Sequence, residues 1–156
     1  MLTIHASCVA LAGEAVLLRG PSGSGKSDLA FRLIEAGARL VADDRTILHA
    51  ENARLVASAP EGIRGLIEIR GLGPVEMLPA PPTAVALLVD LVPRAQVPRL
   101  PDPDYGTLLG LSLPRLSLDP FAASAAAVVR LALARAAAGR LFEPAEARGL
   151  SRVRQR

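Results

Sequence analysis

Residues Gly20-Pro21-Ser22-Gly23-Ser24-Gly25-Lys26-Ser27 fit the pattern G-x-x-x-x-G-K-[ST], a glycine-rich turn that opens onto a helix. Its lysine is the only one in the 156 residues, whereas seventeen arginines are spread along the chain. The preference for arginine is thus broken at the one position where a compact ammonium suits phosphate oxygens better than a planar fork. A chain of this composition would hold such a match by chance about once in two thousand. The flanks agree with it. Residues 15–18, Ala-Val-Leu-Leu, read as a buried strand entering the loop, and residues 27–36 read as the helix leaving it. Leu29, Leu33 and Ala36, with Ala30 and Ile34 beside them, form the apolar face of that helix, and Gly37 caps its end. In this geometry the backbone N–H groups of Gly20, Pro21's followers Ser22, Gly23, Ser24 and Gly25, and the helix N-terminus surround phosphates. Lys26 then reaches the outer phosphates and the Ser27 hydroxyl ligates magnesium.

With 51% hydrophobic residues the chain has enough apolar side chains for one domain of ordinary size. Aromatic residues make up only 3% and tryptophan is absent, which excludes a stacking platform for single-stranded nucleic acid. The net charge of +3 is local, since residues 1–147 hold 14 basic and 15 acidic side chains. Arg148, Arg152, Arg154 and Arg156 supply the excess, so the expected division is a domain over 1–147 and a basic, solvated tail over 148–156. Cys8 is the single cysteine, so no intramolecular disulfide can form, and its strand-like setting reads as a small buried hydrophobe. No segment resembles a leader or a membrane span, and the expectation is a cytoplasmic protein.

Before the phosphate loop, residues 2–10 read as an extra strand carrying His5, joined to residues 15–18 by a hairpin turn at Ala12-Gly13-Glu14. After the loop helix, residues 39–42 read as a short strand ending at Asp43-Asp44, and residues 46–48 and 54–56 as a hairpin around Glu51-Asn52. Alternation over residues 66–70 puts Glu68 and Arg70 on one strand face, followed by Gly71 and Gly73. Eight of the thirteen prolines fall between Pro74 and Pro103, around a central strand over residues 85–89. Residues 93–105, with Arg94, Arg99, Asp102 and Asp104, read as a lid, a substrate loop or an ordinary surface loop. Asp119-Pro120 supplies an N-cap and a first-turn proline for an alanine-rich helix over residues 121–138, ended by Gly139.

A phosphoryl-transfer site needs a second anchor for magnesium and, where the acceptor is a hydroxyl, a carboxylate to take its proton. Three positions compete: the pair Asp43 and Asp44, Asp90 after the apolar run, and Glu68. Adjacent carboxylates repel unless a proton or a cation lies between them, which favours metal or proton chemistry at Asp43-Asp44, although a capping pair has the same sequence. His5 can exchange a proton or orient a carboxylate, or serve only as a strand residue.

Together these residues resemble the catalytic domain of the HPr kinase/phosphorylase family, which acts on a serine of the phosphocarrier protein HPr. The likeness rests on His5, on Gly20 to Ser27, on Leu40-Val41-Ala42-Asp43-Asp44, and on Glu68-Ile69-Arg70-Gly71-Leu72-Gly73, and covers about residues 4–120. It implies an α/β fold, a P-loop-containing domain related to phosphoenolpyruvate carboxykinase, with a central mixed sheet and flanking helices. It also implies ATP and Mg2+ as cofactors, an HPr-type phosphocarrier of the phosphotransferase system as partner, and a homo-oligomer, a hexamer by the family's pattern. By position the resemblance makes Asp44 the general base, His5 its orienting partner and Lys26 the holder of the β and γ phosphates. Ser27 and Glu68 bind magnesium with Asp43 beside it, and Arg99 steadies the transferring phosphoryl group, with Arg94 as competitor.

Two departures qualify the expectation. The chain starts close to the histidine strand, as in a short, single-domain form that corresponds to the family's C-terminal catalytic domain. The stretch Ser117-Leu118-Asp119-Pro120-Phe121 also lacks the arginines of the family's phosphorylase segment, so kinase activity without phosphorolysis is expected. A small-molecule kinase using the same loop, or an ATP-binding regulatory module without catalysis, are the alternatives from other classes.

Overall fold

The computed structural model describes residues 1–143, so the tail expected over 148–156 lies outside the described residues. A hairpin opens the fold: β1 (Leu2–Leu11) turns into β2 (Glu14–Arg19), which runs into the phosphate loop and α1 (Lys26–Glu35). β3 (Arg39–Ala42) follows, then the hairpin β4 (Arg45–Glu51) and β5 (Arg54–Ser58), the small hairpin β6 (Leu66–Ile69) and β7 (Gly73–Glu76), and the long strand β8 (Thr83–Leu91). A single 3-10 turn, Arg94–Gln96, precedes β9 (Tyr105–Leu108), β10 (Leu111–Leu118) and α2 (Ala125–Ala137).

Pairing in the main sheet runs β2–β1–β4–β5–β8–β10–β9, with β3 attached to β1 and β6–β7 separate. β8 also lies parallel to β2, which closes β1, β4, β5, β8 and β2 into a ring. The sheet is mixed: β8 is parallel to β2 and β10, and the remaining pairs are antiparallel. Strand alternation divides the apolar residues between two cores. Val9, Val16, Leu18 and Val89 face α1 and α2, where they meet Leu29, Leu33, Val129 and Leu133. Cys8, Ala15, Leu17, Leu48, Leu55 and Leu88 fill the inside of the ring. Ala86 and Leu87 both join the helix-side core, because the register between β2 and β8 slips at Ala15/Val16 and two residues of β8 oppose one of β2.

Several expectations shift by a turn or less. α1 starts at Lys26 and ends on Ala36, which is exposed and caps the helix instead of joining its apolar face; Gly37 with φ 110° then turns the chain so that the Ala38 amide reaches the Leu33 carbonyl at 3.0 Å. α2 begins at Ala125, not at residue 121. Asp119 does cap, but it caps the preceding turn, with the Phe121 amide donating to its Oδ1 at 2.9 Å. Arg32 of α1 donates to the carbonyls of Pro120 and Ala122, which ties the turn before α2 to α1. β7, β9 and β10 were not foreseen as strands. Among the described residues no helix is long and apolar enough to cross a membrane.

Candidate active site

β2, fully buried along its middle, delivers the chain into the loop, and the Ser24 amide closes the bend on the Pro21 carbonyl at 3.0 Å. Gly25, at φ 95°, makes the left-handed step that starts α1, and a side chain there would press on Pro120 Cγ at 3.1 Å and Phe121 Cζ at 3.2 Å. Lys26 is buried, and its ammonium donates to the carbonyls of Gly20 at 2.8 Å and Pro21 at 3.1 Å, which holds it within the loop's own mouth. The Ser24 hydroxyl is buried in the same bend and has no partner among the described residues.

The second half of the site comes from β1, β3 and β6. Asp43, buried at the end of β3, accepts three hydrogen bonds. Ser27 Oγ donates to its Oδ1 at 2.6 Å, Ser7 Oγ donates to the same atom at 2.8 Å, and the Glu68 amide donates to Oδ2 at 3.1 Å. This ties the first turn of α1 to the end of β3. The next residue, Asp44, points the other way, and its exposed carboxylate meets His5 Nε2 at 2.5 Å. An ionised carboxylate can only accept, so the His5 Nε2 proton is donated to Asp44 Oδ1. Asp44 stands at φ 66°, with the Arg45 amide bonded across it to the Asp43 carbonyl at 2.7 Å, a tight three-residue turn that a residue with a side chain rarely adopts.

Of the expected site residues, Lys26, Ser27 and Asp43 converge, and His5 pairs with Asp44 one residue further on. Glu68 reaches the cluster through its amide, while its side chain is exposed. Arg99 and Arg94 lie on the exposed stretch after β8, and among the described residues no hydrogen bond or ion pair joins either to the loop or the aspartates. Asp90, the competing anchor, is committed elsewhere: Arg19 grips both its oxygens, at 2.8 and 3.1 Å, and Arg115 stands 4.0 Å away. Arg115 in turn binds both oxygens of Asp104, at 3.0 and 3.1 Å, and these hydrogen bonds hold the Asp104 carboxyl below the usual range and raise the guanidinium. The sequence reading missed Ser7 altogether. Its signal was strand alternation, since two residues from His5 on β1 places it on the same face.

The donor set fits a hard divalent cation. A hydroxyl and a carboxylate stand in contact beside a phosphate-binding turn, and magnesium takes one or two such oxygens together with phosphate and water oxygens. Among the described residues no group of three or more His, Cys, Asp or Glu side chains is placed to hold a metal ion.

Residues 1–80 match the family model described as the HPr Serine kinase C-terminal domain. The HPr kinase/phosphorylase of Limosilactobacillus reuteri (strain DSM 20016) is 35% identical over 128 residues, 74% of this chain and 40% of that protein. That of Geobacillus thermodenitrificans (strain NG80-2) is 38% identical over 127 residues, 74% of this chain and 41% of that protein. The chain therefore spans about two fifths of the length of the curated relatives it matches. Among solved structures, the Hpr(Ser) kinase/phosphatase from Coxiella burnetii superposes with a TM-score of 0.73 at 29% identity, over 86% of this chain and 95% of that one.

Proposed function

The chain belongs to the family of the HPr serine kinase C-terminal domain, and on that premise we propose that it is an ATP- and magnesium-dependent kinase that phosphorylates a serine of an HPr-type phosphocarrier protein. The observation that carries this reading is the division of labour between two consecutive carboxylates. Asp43 is bonded to the phosphate-loop serine and Asp44 to a histidine, so one is held towards a metal and the other towards an acceptor.

In this mechanism Lys26 leaves the loop carbonyls for the β and γ phosphates, and the loop amides hold the remaining oxygens. Ser27, Asp43 and Glu68 would hold magnesium, which would neutralise charge on the phosphates. Ser27 could offer a lone pair to the cation while its hydroxyl goes on donating its proton in the hydrogen bond to Asp43 Oδ1. Asp44 takes the proton of the acceptor serine as the hydroxyl oxygen bonds to the γ-phosphorus and the bond from phosphorus to the bridging oxygen breaks, releasing ADP. His5 orients the Asp44 carboxylate by its Nε2 hydrogen bond. Arg99 steadies the transferring group, brought to it from the exposed stretch after β8. No arginine lies in residues 117–121, so the proposal does not extend to phosphorolysis. Homo-oligomeric assembly and a cytoplasmic setting complete it.

Incubation of the host's own HPr-type carrier with Mg-ATP and this protein, followed by mass spectrometry, tests the reading with Asp44→Asn as control. A phosphoserine that forms with wild type and is lost with the variant, while Mg-ATP binding persists, is the expected result. An unmodified carrier beside tight ATP binding would direct the assignment to a metabolite kinase or a nucleotide sensor.

A further inference from the structure

Ser7 stands between the two aspartates without belonging to the phosphate loop or to α1. It is fully buried on β1, and every hydrogen-bonding capacity that matters is used: its proton goes to Asp43 Oδ1 at 2.8 Å and a lone pair receives the Asp44 amide at 3.1 Å. The direction is forced, because the carboxylate only accepts and the amide only donates. One hydroxyl thus touches the side chain of one aspartate and the backbone of the next. It shares Asp43 Oδ1 with Ser27, and it is one of two hydrogen bonds that pin the left-handed turn at Asp44, the other being Arg45 amide to Asp43 carbonyl.

Resting on the kinase reading, the geometry points to Ser7 as a positioning residue that couples the metal-side carboxylate to the general base. Through Asp43 it keeps Oδ1 aimed at the Ser27 hydroxyl, and through the Asp44 amide it holds φ 66°, the conformation that turns the second carboxylate to His5. Partners of this kind typically change metal affinity or activity about 10- to 100-fold when removed.

The test is calorimetric binding of ATP, with magnesium and separately with EDTA, to wild type, Ser7→Ala, Asp43→Ala and the double variant, with thermal melting as the check on folding. Ser7→Ala should bind Mg-ATP at least about tenfold more weakly, with metal-free ATP within about twofold of wild type. In the Asp43→Ala background it should add nothing, because its route to the metal is gone. Equal loss with and without magnesium, no loss at all, or a full effect that survives Asp43→Ala would each overturn the proposal. Should Ser7→Ala not fold, Ser7→Cys, which fills the site with a weaker donor, is read by the same criteria. Wild-type binding that ignores magnesium would instead refute the kinase reading itself, and this inference with it.

Discussion

A single methyl group at Gly20 should spoil the phosphate loop without unfolding the domain. Built as alanine, residue 20 would place its Cβ 2.4 Å from Ser24 Oγ, 2.9 Å from Ser24 Cβ and 3.4 Å from Leu91 Cβ. The hydroxyl can swing away by a rotamer change, but Ser24 Cβ moves only with the backbone, and that backbone is held by the Ser24 amide on the Pro21 carbonyl at 3.0 Å. Carbon atoms prefer about 3.5 to 4.0 Å, so the bend must open by at least roughly half an ångström. Overpacking of this size costs about 1 to 3 kcal/mol. If nucleotide binding has to restore the closed bend, Mg-ATP affinity falls about 5- to 150-fold. Isothermal titration of Mg-ATP into Gly20→Ala measures this directly, with Gly13→Ala as a control: that glycine has φ 79° but nothing within 4 Å, so strain there touches stability and not the loop. Ser24→Gly removes both offending atoms, and in that background Gly20→Ala should cost less than about threefold. Binding within twofold of wild type, or no relief from Ser24→Gly, would refute the steric argument.

The Asp104–Arg115 pair makes a pH prediction. A carboxyl whose folded pKa is depressed contributes stability above its unfolded pKa and loses it as pH falls through the folded one, so Asp104→Asn should melt slightly lower than wild type at pH 7 and the gap should close below about pH 4. A gap of equal size at pH 3 and pH 7 would show that the pair contributes nothing by charge. On the proposed role of Arg99, Arg99→Ala should lower the rate of transfer to the carrier by about 100-fold while leaving the Mg-ATP dissociation constant unchanged, and Arg94→Ala should leave both unchanged. A reversed pattern would move the role to Arg94.

What could be read from the chain follows from where the information is local. The loop, its strand and its helix are dictated within residues 15–37, and they stand within one residue of expectation. The hairpin turns expected at Ala12-Gly13-Glu14 and around Glu51-Asn52 were also visible; the structure turns at Ala12-Gly13 and Asn52-Ala53, all four residues at positive φ. β9 and β10 were hidden by their composition. Pro114 interrupts the alternation of β10, and its pairing partners, Leu88 to Leu91 on β8, lie more than twenty residues away. Asp119-Pro120 is a sound local signal, but its cap serves the turn before α2, where Arg32 of α1 binds the carbonyls of Pro120 and Ala122. Ser7 escaped notice because strand alternation beside His5 marks its face but not its partners, which appear only when the chain after β3 brings the two aspartates to β1.

The choice between Asp43 and Asp90 shows why adjacency to the phosphate loop in the sheet is a poorer guide than partner chemistry. β8 is the parallel neighbour of β2, and register places Asp90 opposite Arg19, the last residue before the loop. That position looks suited to a metal anchor, yet the guanidinium beside it satisfies both carboxylate oxygens, and a divalent cation would have to displace a charge-assisted fork to enter. β3 approaches from the other side of the ring strand β1, antiparallel, so that its C-terminal end carries Asp43 to the first turn of α1. There, among the described residues, the carboxylate accepts from two hydroxyls and a backbone amide and has no ion-pair partner. The phosphate-loop serine is one of those donors, and through it the carboxylate adjoins the place proposed for the metal. Elements that lie far apart in sequence, β1 with His5 and Ser7 and the turn after β3 with Asp43 and Asp44, therefore meet beside the phosphate loop, while the aspartate of the parallel neighbour fastens Arg19, and so the entrance of the loop, to the central strand.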